Sequence, residues 1–141
     1  MTGKHNFSFF GEDVALIALT RDFEDKIHFN FIKKKEDGTW EKYEEGLHLQ
    51  LILKEISKIL DFLEHKDKYL KITHKHPKSD DVKIVEFKRS SGFFTRKRKL
   101  TINGKIVNNP EKIYDKELVN EELRLFQKVL EHLEKEKIAH K

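Results

Sequence analysis

Val14-Ala-Leu-Ile-Ala-Leu-Thr-Arg-Asp-Phe23, Lys26-Ile-His-Phe-Asn-Phe-Ile-Lys-Lys-Lys35, a turn at Asp37-Gly38, Trp40 and then Leu47 to Leu63 make up the stretch whose reading decides the fold. Val14 to Leu19 is a continuous apolar run, which predicts a strand buried on both faces. From Lys26 to Lys35, side chains alternate: Ile27, Phe29 and Phe31 share one face, Lys26, His28 and Asn30 the other. Arg21-Asp-Phe-Glu-Asp25 reads as a tight connection between antiparallel strands. Leu49, Ile52, Leu53, Ile56, Ile59, Leu60 and Leu63 recur at the helical period and predict a helix from about Leu47 to Leu63, with Gly46 in the turn before it. Strands rich in aromatic and basic residues, backed by a helix, would give a sheet one buried face and one face free to bind.

The chain has 141 residues, enough for one domain with a real core. Charged residues make up 38% and the net charge is +4. A Lys- and Glu-rich chain without cysteine is a mix common in hyperthermophile proteins. The absence of cysteine excludes disulfides, a thiol nucleophile and cysteine-ligated metal. No signal peptide and no apolar run of the roughly 18–20 residues that span a bilayer is visible, so the expected location is cytoplasmic.

Outside the opening stretch, Asn6-Phe-Ser-Phe-Phe10 reads as an edge strand or arm, or as aromatic surface for stacking bases. Tyr69 to Lys75 and Val82 to Arg89 alternate and predict a hairpin across Pro77–Asp81. Phe93 to Ile102 reads as a further strand, Asn103-Gly104 as a hairpin turn, and Lys105 to Val107 as its short return. The expectation is an α+β fold of antiparallel sheets backed by helices, in which a strand–strand–helix unit occurs twice. The last helix is expected from about Asp115, its N-cap, to Ile138. Val119, Leu123, Phe126, Leu130 and Leu133 make a zipper-like seam on it, read as a dimerisation surface, with packing onto its own sheet as the alternative. On this reading, residues 1–109 form a β-rich binding region and residues 110–141 a helical dimerisation segment of one compact domain.

Charge is concentrated between Lys83 and Lys105, where eight Lys and Arg face the single acid Glu86, a net +7 against −3 for the remainder. Arg89, Arg96, Lys97, Arg98 and Lys99 are the candidates for phosphates, with Phe93 and Phe94 beside them for bases. Cations that track phosphates, interleaved with rings that stack on any base, suit single-stranded nucleic acid without sequence preference. A solvated cationic hairpin with core phenylalanines is the plainer alternative. Lys33-Lys-Lys35 is a weaker basic cluster.

Two other chemistries are weighed. His74 and His76 would share a strand face with His65 near, but this is no shell of three ligands at defined spacing, and no metal or other cofactor is expected. Glu86-Phe-Lys88, with Asp80 and Asp81 before it, resembles the core of restriction-type magnesium nucleases. Its acid spacing is short for that family, and an ordinary polar strand is the far commoner origin of such a pattern. No phosphate-binding loop, dinucleotide fingerprint, serine-hydrolase elbow or zinc-protease motif is present. The chain is expected to be a binding protein without enzymatic activity. A module that meets an acidic protein partner is the third possibility.

Arg21-Asp22-Phe23, Lys26-Ile27, a strand, a glycine turn, Gly46 and a helix resemble the positive-cofactor transcriptional coactivator, whirly-like, family over about a third of the chain. The resemblance implies a dimer that binds single-stranded DNA on a curved sheet backed by helices. It implies a base-stacking role for Phe23. Lys35 stands where the family has an aromatic and Glu45 where it has a basic residue; Trp40 is the neighbouring ring that could replace the stacking surface. The architecture as a whole is similar to that of archaeal Thermo-DBP-related single-stranded DNA-binding proteins. The expected partners are therefore single-stranded DNA or RNA and a second copy of the chain, with no membrane and no small-molecule substrate.

Overall fold

Leu47-His-Leu-Gln-Leu51 alternates at period two, and in the computed structural model it is a strand rather than the first turns of a helix. The structure describes residues 6–21, 25–65, 67–75, 81–91, 98–107 and 109–139. Leu47, Leu49 and Leu51 stand opposite Phe31, Phe29 and Ile27 and are buried with them. Leu49 and Leu53 lie four apart, so the strand face runs into the helical stripe without a break in the apolar pattern. The helix begins at Leu53, where the Ile52 N–H donates to Glu55 Oε1 at 3.1 Å and closes its first turn. Gly46 is there for backbone approach: a Cβ would lie 2.0 Å from the Phe31 carbonyl oxygen.

The first sheet is β1 (Asn6–Phe10), β2 (Val14–Thr20), β3 (Ile27–Lys33) and β4 (Leu47–Leu51), antiparallel and paired in that order, followed by α1 (Leu53–Glu64). The second is β5 (Tyr69–Lys75), β6 (Val82–Ser91), β7 (Arg98–Ile106) and β8 (Asn109–Val119), again antiparallel and in order, followed by α2 (Glu121–Ala139). The repeated unit is thus four strands and a helix, with twice the strands that the strand–strand–helix reading anticipated. The fold is α+β.

Three boundaries in the second half differ from the sequence expectation. Asn103-Gly104 makes no hairpin turn; it lies inside β7, opposite Glu86 and Val85 on one side and Asp115 and Tyr114 on the other. Gly104 is required by packing, because a Cβ would come within 2.8 Å of Leu47 Cδ2 and 2.9 Å of the Phe31 ring. Residues 109–119, expected to include the start of the last helix, form β8, whose Tyr114, Lys116 and Leu118 are buried on one face while Ile113, Asp115 and Glu117 stay exposed. The helix starts after Asn120, which takes the left-handed conformation (φ 52°) that asparagine tolerates. Asn120 exchanges backbone hydrogen bonds with neighbours on both sides, donating to the Arg98 carbonyl and accepting from the Arg124 N–H.

Both sheets and both helices feed one core. Phe29, Phe31 and Leu49 of the first sheet, Phe87, Leu100 and Tyr114 of the second, Ile56 and Phe62 of α1 and Phe126 and Leu130 of α2 belong to it. The helical residues of the expected seam take part in this core. Leu123, Phe126, Leu130 and Leu133 are buried within the chain itself, and Phe126 meets the rings of Phe9 at 5.7 Å and Phe29 at 6.0 Å. Val119 is on β8, not on the helix. Two sheets, not one thin layer, close over the stripe, while Leu125 and Ile138 on the same helix stay exposed. Among the described residues no helix is long and apolar enough to cross a membrane.

Candidate functional site

The face of the first sheet that was expected to be free is closed. His28 is 0% and Asn30 3% exposed, although alternation sends both away from the main core. Ala15, Ile17, Leu19 and Ile32 form a second apolar cluster on that side, and Trp40 packs against it from the β3–β4 connection. The indole also meets the Phe10 ring edge-on at 5.3 Å, with the Lys34 ammonium 5.6 Å from its centroid. Phe10 itself is 56% exposed, so Phe10, Trp40 and Lys34 make a small aromatic–basic corner. Lys33 is used internally: its ammonium donates to the Glu111 carbonyl at 2.6 Å and lies over the Tyr114 ring, tying the two sheets together. Lys35 pairs with Glu45 at 3.3 Å.

The second sheet has the open face. Val85, Phe87, Leu100 and Ile102 point into the core, so Glu86, Lys88, Lys99, Thr101 and Lys105 point away from it. On β5 the same face carries Tyr69, Lys71, Thr73 and Lys75, all exposed. The register sets Tyr69 opposite Lys88, Lys71 opposite Glu86, and Glu86 opposite Asn103. Tyr69 is 50% exposed and its hydroxyl donates to Glu86, which also receives Lys105 at 3.5 Å. The Tyr69 hydrogen bond, and after it the Lys105 charge, hold the Glu86 carboxyl below its ordinary value; the same bond raises the Tyr69 phenol. Lys99 is paired with Glu117 at 3.1 Å. Lys71, Lys75 and Lys88 have no ion-pair partner among the described residues. The result is an open platform with a ring in a half-paired lysine field, positive towards β5 and β6 and acidic towards β8, where Asp115 and Glu117 stand.

The other sequence candidates separate into three groups. Phe23, Phe93, Phe94, Arg96 and Lys97 lie outside the described residues; Phe93 to Lys97 belong to the segment that joins Ser91 to Arg98, two residues paired across β6 and β7. Arg98 is exposed at the start of β7, and Lys99 follows on the open face. Arg89 is turned inward instead. Its guanidinium donates to the carbonyls of Leu63 and Asp67, both at 3.1 Å, and covers the Phe62 ring, so it caps the carboxyl end of α1. The two lysines of β5, Lys71 and Lys75, were missed because their alternation with Leu70, Ile72 and His74 reads as a plain amphipathic strand. Their value comes from the neighbouring strand. Of the acids of the nuclease alternative, Glu86 is on the open face and Asp81 lines a cavity elsewhere, while Asp80 is outside the described residues. His74 is held by Glu55 at 2.6 Å, His65 bonds the Asp61 carbonyl, and His76 is outside the described residues.

A cavity of about 540 Å³ opens beside the β4 edge, between the second face of the first sheet and the β6, β7 and β8 ends of the second. Leu19, Asn30 and His48 line it from one sheet and Lys83, Ile106 and Lys112 from the other, with Arg21, Tyr43, Glu44, Gly46, Leu47 and Asp81 completing the wall. Lys83 donates to the His48 carbonyl at 2.7 Å and Lys112 to the Glu45 carbonyl. Burial lowers the Lys83 ammonium below its ordinary value. His48 stacks on His28, and the two share a hydrogen bond of 2.7 Å.

No family model matches the chain, and no curated protein matches it. Solved structures do. WHY1 from Arabidopsis thaliana matches with a TM-score of 0.70 at 11% identity, over 95% of this chain and 85% of that one. The plant transcriptional regulator PBF-2 matches with a TM-score of 0.61 at 12% identity, over 96% and 90%. MRP1/MRP2 from Trypanosoma bruciei match with a TM-score of 0.55 at 12% identity, over 94% and 84%. The expected likeness to archaeal Thermo-DBP-related proteins is not among these three matches. At such identities the likeness is one of fold, and the fold of this chain is whirly-like.

Proposed function

We propose that the protein binds single-stranded nucleic acid without sequence preference, on the open face of the second sheet. The observation that carries this reading is Tyr69 standing exposed among Lys71, Lys75 and Lys88, on a whirly-like fold. A ring can stack on any base for roughly 1–3 kcal/mol, and lysines without local partners are free to neutralise phosphates. Ser91 and Arg98 pair across β6 and β7, and Phe93, Phe94, Arg96 and Lys97, which lie between them in the sequence, are further candidate contacts together with Lys99. The fold is shared with a plant transcriptional regulator, which supports a nucleic-acid ligand. The Phe10, Trp40 and Lys34 corner is a second contact point for a longer strand.

The test is a titration of fluorescent single-stranded DNA, single-stranded RNA and duplex against the protein and a variant carrying Lys71→Gln, Lys75→Gln and Lys88→Gln. The wild type is expected to prefer single strands, and the variant to lose at least tenfold in affinity while melting like the wild type, since exposed lysines contribute little to stability. Unchanged affinity in the folded variant would move the surface elsewhere. Preference for duplex would reject the reading.

A further inference from the structure

The lysines of the open face divide by strand. On β7, Lys99 and Lys105 are neutralised by Glu117 and Glu86. On β5 and β6, Lys71, Lys75 and Lys88 are exposed and have no ion-pair partner among the described residues. Asp115 and Glu117 stand exposed on β8, at the opposite edge of the sheet from β5. Phosphates are drawn to the first half of the face and repelled from the second. A strand lying here is therefore sorted, with its backbone along β5 and β6 and its bases reaching towards β7 and β8. Two strand spacings, about 9–10 Å, separate β6 from β8, which is comparable with the reach of a nucleotide from phosphate to base edge.

The far half holds what a base needs. The register sets Lys71, Glu86, Asn103 and Asp115 in one row across the sheet. Asn103 Nδ2 donates to Asp115 Oδ1 at 2.5 Å, on the surface. A carboxylate only accepts, so this bond fixes the Asp115 side chain and leaves its other oxygen as an acceptor. Ile113 lies two residues away on the same side of β8, opposite Lys105, and is 45% exposed. Its side chain gives the face of a base an apolar seat, and the fixed carboxylate beside it meets the edge of that base. Adenine, cytosine and guanine each present an exocyclic amino group, which donates to such an acceptor. Thymine and uracil present carbonyl oxygens at the same place, which a carboxylate repels.

We propose that Ile113, Asp115 and Asn103 form a base seat that favours amino-bearing bases over thymine and uracil. The assignment rests on the single-strand reading above. Stacking on Tyr69 is indifferent to sequence, and this seat adds a bias in base composition.

The experiment compares short DNA strands of equal length made of deoxycytidine, of thymidine, and of deoxycytidine dimethylated at N4, which keeps the ring and loses both amino hydrogens. Affinities are read by fluorescence anisotropy above neutral pH, where cytosine is unprotonated, for the wild type and for Asp115→Asn. The wild type is expected to bind the cytidine strand about fivefold tighter than the thymidine strand. The dimethylated strand should bind like thymidine. Asp115→Asn keeps an acceptor for Asn103 but loses the charge, so it should bring the cytidine-to-thymidine ratio to about one without loss of affinity for thymidine. A residue that only supported the fold would change both affinities together and leave the ratio alone. If the variant melts far below the wild type, the dimethylated strand on the wild type decides the matter by itself. Equal binding of all three strands by the wild type, or a preference for thymidine, overturns the seat and leaves the platform standing. A dimethylated strand that binds like the unmodified one overturns the role of the amino group. A cytidine preference that survives in folded Asp115→Asn overturns the assignment to Asp115. Failure of the wild type to bind any strand would remove both readings.

Discussion

At the scale of single residues, the same amino acid does different work depending on what lies across from it. Gly104 reads locally as a turn glycine, yet its lack of a side chain is what lets β7 lie on Phe31 and Leu47. Gly104→Ala should therefore cost about 1–3 kcal/mol through overpacking. Urea denaturation checks this; a neutral effect would mean that the two side chains can simply move aside. Glu86 gives a pH prediction. Its carboxyl is held low by the Tyr69 hydroxyl first and Lys105 second. A depressed carboxyl contributes stability above its unfolded-state value, near about 4.3 for glutamate, and loses it as the pH falls through the lower folded value. Tyr69→Phe should move the Glu86 midpoint upwards and weaken that acid dependence, as read by a carbon-detected carboxyl titration. An unmoved midpoint would mean that the hydrogen bond does not form in solution.

At the scale of elements, α1 and α2 are held by contacts that their own sequences only half reveal. Arg89 belongs to β6 and looks like part of a basic run, but it closes the end of α1. Arg89→Met should destabilise the protein by roughly 1–2 kcal/mol and raise amide exchange near Leu63, with little change in single-strand affinity. A large affinity loss without destabilisation would return Arg89 to the binding surface. For α2, Phe126→Ala should cost about 3–5 kcal/mol, because the ring is enclosed by Phe9 and Phe29 and its removal leaves a cavity. Calorimetry distinguishes this from a dimer seam, whose loss would depend on protein concentration.

At the scale of the whole molecule, two four-stranded units share one core and leave one sheet face open. Net charge is only +4, so steering by the total field is weak and affinity should come from local lysines. Binding to single strands should fall with salt by about 0.7 log units per log unit for each phosphate neutralised. Removing Lys71, Lys75 and Lys88 together should flatten that slope by about 2. A slope that stays the same in the variant would show that these lysines do not meet phosphates.

The sequence by itself determined the class of fold. Period-two alternation in β3, β5 and β6 and the stripe of Ile56, Ile59 and Leu63 are local, and each is set by which side chains must leave water. It also marked the hairpin of β6 and β7 as the charged region. Several features depended on distant partners. Leu47–Leu51 became a strand because Phe29 and Phe31 offered a ladder and a core at the right register, which outweighed the helical spacing. β8 formed because β7 ran straight through Asn103-Gly104 and needed an antiparallel neighbour. Whether a face is open or closed is likewise not written in alternation: His28 and Asn30 are polar and buried, while Lys71 and Lys88 are polar and free. Alternation sorts side chains into two sides of a strand, and only the packing of the second sheet and of the β3–β4 connection decides which of those sides meets water.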